Sequence, residues 1–234
     1  MKTGTGWLKA ISFSIIKNDV EEDILATETP YFLVPSVVTS FSATKPLPFD
    51  IYDASSPRLL HTHVAYSLLP DSIKNSACKI IYITRNPKDT IISMWHFLSS
   101  IKGPFPLEEV VNSLCCGVYP YGSFFDHVVE YWMESKKRPE KILFLKAMIS
   151  KIAEFLGKPF LDEVQVEEII KRCSLERLKN LDVNKNGSFK SNVPNSAFFR
   201  KGEVSDWKNY LTPEMVERIN QITHIKLETL GIFL

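Results

Sequence analysis

The stretch Lys79–Leu98 (KIIYITRNPKDTIISMWHFL) constrains the fold more than any other part of the chain. Lys79–Thr84 is a short apolar, β-branched run without polar alternation, the pattern of a strand buried in a parallel sheet. The residues that follow change what the backbone can do. Asn86 suits an N-cap, Pro87 the first helical position, and Asp89 the first turn, where a carboxylate meets the positive end of the helix dipole. Ile91, Ile92, Met94, Trp95, Phe97 and Leu98 then carry an apolar helical series. The segment therefore predicts a strand, a tight turn and a helix in direct succession.

Ile142–Leu145 (ILFL) reads as a second buried strand, and helices are expected at 7–17, 107–116, 122–135, 148–157, 161–180 and 213–230. Residues 18–57 are rich in Pro, Ser and Thr and read as loops and short helices. Strands alternating with helices imply an α/β fold whose parallel sheet is covered on both faces. In such sheets ligands sit beyond the carboxyl ends of the strands. Repeats, low-complexity tracts and Gly/Ser linkers are absent, so residues 1–234 are expected to form a single domain.

The charge balance excludes some partners. Lys and Arg number 28 against 27 Asp and Glu, a formal net charge of +1. No global field favours nucleic acid or an anionic membrane, so any anion site must be local. Cys78, Cys115, Cys116 and Cys173 show neither C-x-x-C spacing nor the density of a secreted scaffold, which points to thiols in a reducing compartment. Trp7–Ile16 is interrupted by Lys9, Ser12 and Ser14, and is too short to span a bilayer. Without a secretory signal, the sequon Asn186-Gly187-Ser188 reads as a polar turn, and cytoplasm is the expected location.

Four places carry residues suited to chemistry. Lys2-Thr3-Gly4-Thr5-Gly6-Trp7 opens a helix with small residues, so several amides can converge on one anion; an ordinary helix lead-in explains it equally well. It is not a Walker A loop, because its Lys precedes the glycines. Arg85 at the strand end and Ser93 two helical turns on could hold a phosphate, or be a surface Arg and a helix-face Ser. Arg200-Lys201-Gly202 offers two cations beside a residue that permits close backbone approach, against the alternative of a solvated charge pair. In His61-Thr62-His63 the two rings share one face of an extended segment. No further ligand stands at metal spacing, which leaves a catalytic base or packed histidines. His96, His127 and His224 lie in helical stretches and read as structural.

Taken together, Lys2–Lys9 (KTGTGWLK), Ser56–Tyr66 (SPRLLHTHVAY), Lys79–Phe97 and Phe198–Thr212 (FFRKGEVSDWKNYLT) resemble, in order, the motifs of cytosolic sulfotransferases, particularly the plant members that act on flavonoids and steroids. The resemblance runs from Lys2 almost to the C-terminus. It implies a P-loop-like central parallel sheet with helices on both faces. It also implies transfer of a sulfuryl group from 3′-phosphoadenosine 5′-phosphosulfate to a hydroxyl of a small acceptor, with no metal, nucleic acid or membrane involved. By that resemblance Lys2 offsets charge on the leaving 5′-phosphate oxygen, the backbone of Thr3, Gly4, Thr5 and Gly6 cradles that phosphate, and Trp7 stacks on adenine. His63 is the general base. Arg85, Ser93, Arg200, Lys201 and Gly202 bind the 3′-phosphate, and Ser174 and Leu175 fall at adenine-contacting positions.

The chain departs from the family pattern in ways that set further expectations. Members carry a segment ahead of the Lys2 motif that includes a strand, so the sheet is expected to lack its first strand. Gly6 stands where Thr is usual, Ala65 replaces a Pro, Ser205 a Gly and Leu175 a Phe. Ala147-Met148-Ile149-Ser150 stands where members run through a Tyr-containing loop. An alternative reading of these losses is a non-catalytic remnant with partial nucleotide binding. Lys208-x-x-x-Thr212-Pro213-x-x-x-Glu217 is similar to the dimer motif of animal members with Pro in place of Val. A capped helix start is the preferred explanation, which leaves a monomer or weak homodimer.

Overall fold

The computed structural model describes residues 2–17, 23–37, 58–119, 121–145, 149–189 and 193–234. In chain order it contains α1 (Thr5–Ile16), α2 (Ile24–Thr27), α3 (Pro30–Leu33), a 3₁₀ turn at Tyr66–Leu68, α4 (Asp71–Asn75), β1 (Ile80–Ile83), α5 (Pro87–Lys102), α6 (Leu107–Cys115) and α7 (Phe124–Lys137). Then come β2 (Ile142–Leu145), α8 (Ile149–Leu156), α9 (Glu163–Arg172), α10 (Leu175–Asn180), α11 (Asp182–Lys185), β3 (Ser188–Phe189) and β4 (Val193–Pro194). 3₁₀ turns at Asn195–Phe198 and Asp206–Asn209, α12 (Pro213–Lys226) and a last 3₁₀ turn at Glu228–Leu230 complete the chain. These elements form two compact units: Met1–Gly4 with His63–Ala147 and Glu203–Leu234, and Thr5–Thr62 with Met148–Gly202.

The first unit is built on the two strands expected from their β-branched runs. β1 and β2 pair in parallel, Ile80 opposite Ile142 and Ile83 opposite Leu145. Among the described residues these two strands are the whole parallel sheet. The turn after β1 is capped as its residues predict: Asn86 Oδ1 accepts the Lys88 amide at 3.0 Å and Pro87 occupies the first helical position. Ile91 and Ile92 of α5, Val111 and Leu114 of α6, Phe124, Phe125 and Val128 of α7 and Ile219 of α12 form one buried cluster. Tyr66, Leu69, Tyr82, Tyr131 and Ile142 form another, and Phe144 packs against both.

The second unit surrounds α1, whose residues are buried on nearly every side, including Lys9, Ser12 and Ser14. A helix apolar all round belongs inside a core, and α1 packs against α3, α8 and α9. The continuous helix expected at 161–180 is two helices. α9 ends at Arg172, and Ser174 adopts an extended conformation (φ −60°, ψ 142°) with its Oγ accepting the Arg177 amide at 3.2 Å, which starts α10. A serine that can cap competes with helix continuation. The helix expected over 213–230 likewise ends at Lys226, with 3₁₀ geometry beyond. Its start shows the favoured cap: Thr212 Oγ1 accepts the Met215 amide, and Pro213 is the first helical residue. Most of the loop-rich stretch at 18–57 and the segment around Ala147 and Met148, where a shortening is expected, lie outside the described residues.

Candidate functional site

In the first unit the chain's start lies at the C-terminal end of β1. Thr3 is buried, and Gly4 has φ +106°, with Ile83 Cδ1 3.3 Å from where a Cβ would stand. Both the left-handed backbone and the proximity of Ile83 favour glycine. Lys2 Nζ sits 4.7 Å from the centroid of the Phe97 ring.

Arg85, just past the end of β1, is oriented by groups the motif reading leaves out. Its guanidinium pairs with Asp89 at 3.3 Å and donates to the Glu203 carbonyl. Asp89 is 2 % exposed and also accepts the Ser205 amide at 3.1 Å. The acid expected only to complement the helix dipole therefore anchors the cation and the loop after Gly202. Ser93 is half-buried on α5.

His63 is half-buried, its ring 5.0 Å from that of Tyr121. Its backbone is pinned from below. His127 Nε2 donates to the His63 carbonyl at 3.1 Å, so Nδ1 is the acceptor for the Tyr82 hydroxyl at 3.0 Å. The Tyr131 hydroxyl donates to the Val64 carbonyl, and the Tyr131 and Tyr82 rings stack 4.3 Å apart. Burial holds His127 below the usual imidazole range, which keeps this tautomer neutral. Sequence reading gives His127 a structural role without saying what it supports. The available signal is the i, i+4 spacing of His127 and Tyr131 on one face of α7.

In the second unit Thr5 and Gly6 open α1, and Trp7 is half-buried in its first turn. Gly6 is buried, and a Cβ there would lie 2.6 Å from the Tyr31 hydroxyl. Tyr31 stacks on Phe198 with centroids 4.0 Å apart, and Lys9 Nζ lies 4.4 Å from the Tyr31 centroid. Lys9 is 3 % exposed, its Nζ has no hydrogen-bond partner, and burial lowers its pKa to about 7. His61 Nδ1 donates to the Val34 carbonyl at 3.0 Å; burial and the Lys9 charge push it down to about 4, so it is neutral at pH 7.

Ser174 is spent partly on its cap, accepting the Arg177 amide while its own proton stays available to donate. Leu175 and Gly202 meet: Gly202 has φ +69°, and a Cβ there would collide with Leu175 Cδ2. Arg200 is half-buried, and Lys201 is exposed. Among the described residues no group of three or more His, Cys, Asp or Glu is placed to hold a metal ion, and no helix is long and apolar enough to cross a membrane.

Residues 1–231 match the sulfotransferase domain family. The chain is 40 % identical over 253 residues to cytosolic sulfotransferase 5 of Arabidopsis thaliana, covering 99 % of this chain and 78 % of that protein. A solved Arabidopsis thaliana sulphotransferase superposes with a TM-score of 0.72 at 30 % identity, over 100 % of this chain and 76 % of that one. Mouse sulfotransferase SULT7A1, solved with PAP, gives a TM-score of 0.62 at 30 % identity over 74 % and 67 % of the two chains. A match along nearly the whole chain, at these identities and on the same fold, makes this protein a member of the sulfotransferase family, and so a transferase.

Proposed function

We propose that this protein transfers a sulfuryl group from 3′-phosphoadenosine 5′-phosphosulfate to the hydroxyl of a small acceptor such as a flavonoid, steroid or other phenol or alcohol. We assign it a single domain of 1–234, a cytoplasmic location and a monomeric or weakly dimeric state. A relative solved with PAP, the desulfated nucleotide, supports the donor, and relatives named cytosolic support the location. The observation that carries the reading is the turn at Thr3–Gly6. In the first unit Gly4 lies against Ile83 at the end of β1, and in the second Thr5 begins a twelve-residue helix whose first amides and dipole favour an anion.

When bound, the donor supplies a sulfuryl group activated by a phosphate leaving group. The chain's own residues position, neutralise and move a proton, as in phosphoryl transfer. The amides of Thr3, Gly4, Thr5 and Gly6 hold the 5′-phosphate, and Lys2 offsets the charge on its leaving oxygen. Trp7 stacks on adenine beside Ser174 and Leu175. Arg85, set by Asp89, joins Ser93, Arg200, Lys201 and Gly202 on the 3′-phosphate. His63 takes the acceptor's hydroxyl proton, its backbone held by His127 and Tyr131. No role is assigned to a metal.

Calorimetric titration with 3′-phosphoadenosine 5′-phosphate (PAP) and ADP, beside turnover of a simple phenol with the sulfate donor, tests the reading. PAP should bind much more tightly than ADP. His63→Ala should lower turnover by roughly 10²–10⁴-fold, the usual worth of a general base, with PAP affinity unchanged. Equal affinities, or none, would overturn the donor assignment. PAP binding without turnover would instead favour a non-catalytic nucleotide-binding protein.

A further inference from the structure

The N-terminus of α1 contains an arrangement that the motif residues do not explain. Tyr31 fills the volume in which a side chain at position 6 would begin, with its hydroxyl 2.6 Å from that Cβ position. That hydroxyl, which can both donate and accept, therefore stands at the first turn of α1. The ring is fixed from several sides: stacked on Phe198 at 4.0 Å, tilted against Phe189 at 6.1 Å and edge-on to Phe199 at 6.2 Å.

Beneath the same ring lies Lys9, one turn along α1 from Gly6. Side chains on a helix lean toward its N-terminus, which carries the amine back toward the first turn. Its ammonium meets the face of Tyr31 at 4.4 Å but no hydrogen-bonding partner, while the residue is 3 % exposed. A buried amine without a counter-ion costs stability unless something at the site makes use of its charge. His61, whose Nδ1–H is committed to the Val34 carbonyl, is a neutral neighbour and offers no negative charge.

We propose that Tyr31 and Lys9 complete an anion site at the start of α1. The Tyr31 hydroxyl, beside Gly6 at the first turn, donates to a phosphate oxygen, and Lys9 supplies the countercharge behind the ring. The ligand class is a phosphate monoester dianion. Resting on the donor-site reading above, the inference makes that anion the 5′-phosphate of the nucleotide. Tyr31 replaces the contribution of a residue-6 side chain, which explains why position 6 is glycine: any larger residue would displace the hydroxyl. Lys9 and Tyr31 are positioning residues for the phosphate and take no part in sulfuryl transfer itself.

The experiment is calorimetric titration of the full chain with PAP and with adenosine 3′-monophosphate, which lacks the 5′-phosphate. Tyr31→Phe and Lys9→Met should each weaken PAP binding by about tenfold or more, the worth of a hydrogen bond or charge contact to an anion. Neither should change the affinity for adenosine 3′-monophosphate. Gly6→Thr alone should weaken PAP, because its side chain collides with Tyr31. On a Tyr31→Leu background the same Gly6→Thr change should recover PAP affinity several-fold by restoring a hydroxyl. If wild type binds PAP and both single variants bind it equally well, the inference falls while the donor reading stands. Equal weakening of both nucleotides, or no recovery in the double variant, would make the role structural and overturn it too. A wild-type chain that binds neither nucleotide would sink the donor reading and this inference together.

Discussion

Replacing Lys9 with Met should stabilise the protein at neutral pH, and by an amount that shrinks as pH rises. Burial lowers the Lys9 pKa from 10.5 to about 7. Below pH 7 the amine is protonated whether the chain is folded or unfolded, so the full cost of burying its charge is present. Between pH 7 and 10.5 the unfolded chain holds the proton and the folded chain does not. Stability therefore rises with pH across that window. At 1.36 kcal/mol per pH unit the buried charge costs up to about 5 kcal/mol near neutrality, and about 2 kcal/mol of that is relieved between pH 7 and pH 9. Met keeps an unbranched apolar stem and removes the charge. Against the gain stand the lost cation–π contact with Tyr31, roughly 0.5–2 kcal/mol, and repacking of under about 1.5 kcal/mol.

The net expectation is a variant about 2 kcal/mol more stable at pH 7, with the advantage gone by pH 9. Urea unfolding of both proteins, followed by circular dichroism at pH 7, 8 and 9, reads it directly. His61 does not interfere, because its folded and unfolded values of about 4 and 6.5 confine its contribution to stability to a rise between those pH values. A stability difference that is flat with pH, or a variant less stable throughout, would refute the claim that the amine is buried without compensation. A gain in apo stability coupled to weaker PAP binding would mark Lys9 as a residue kept for ligand binding at a cost to the fold.

Two further substitutions probe the backbone around the proposed 3′-phosphate residues. Ser205 has φ +68° and is the one non-glycine among the described residues with positive φ, so Ser205→Gly should relieve about 1 kcal/mol of strain and raise Tm by several degrees; an unchanged or lower Tm would show that the serine hydroxyl offsets the strain. Gly202→Ala should cost about 1–3 kcal/mol of stability through a left-handed backbone and a collision with Leu175, and should weaken PAP binding at the same time; PAP affinity unchanged in a folded variant would remove Gly202 from the proposed site.

What could be read from the sequence was local, and what could not was contact across the chain. The junction from β1 into α5 needs only near neighbours: β-branched residues, then Asn86 as cap, Pro87 and Asp89, and each takes its expected place. The Thr212-Pro213 helix start was legible for the same reason. Ser174 was misread because a serine inside an apolar helical pattern gives no sign of whether its oxygen will bond the amide three residues on. Asp89 was seen as a dipole partner, but its contact with the Ser205 amide spans 116 residues of chain. The Tyr82, His127 and Tyr131 stack beneath His63 is of the same kind, since no spacing rule links a strand tyrosine to a helix histidine.

The departures from the family pattern look different once their backbones are known. Ala65 has φ −59°, the angle at which a proline ring would lock the chain, so the loss of the usual Pro leaves the conformation intact. Ser205 holds the left-handed turn that a glycine would adopt freely, tethered by its amide to Asp89. Leu175 lacks a ring but lies where any side chain on Gly202 would strike it, so the two positions constrain each other. Gly6 lacks a hydroxyl, and the Tyr31 hydroxyl stands in that space. At each of these places the backbone, or a polar group beside it, suits the residue that is present. The backbone that the proposed nucleotide site needs is therefore in place at these four positions, and turnover of a phenol with the sulfate donor is what separates the transferase from a nucleotide-binding remnant.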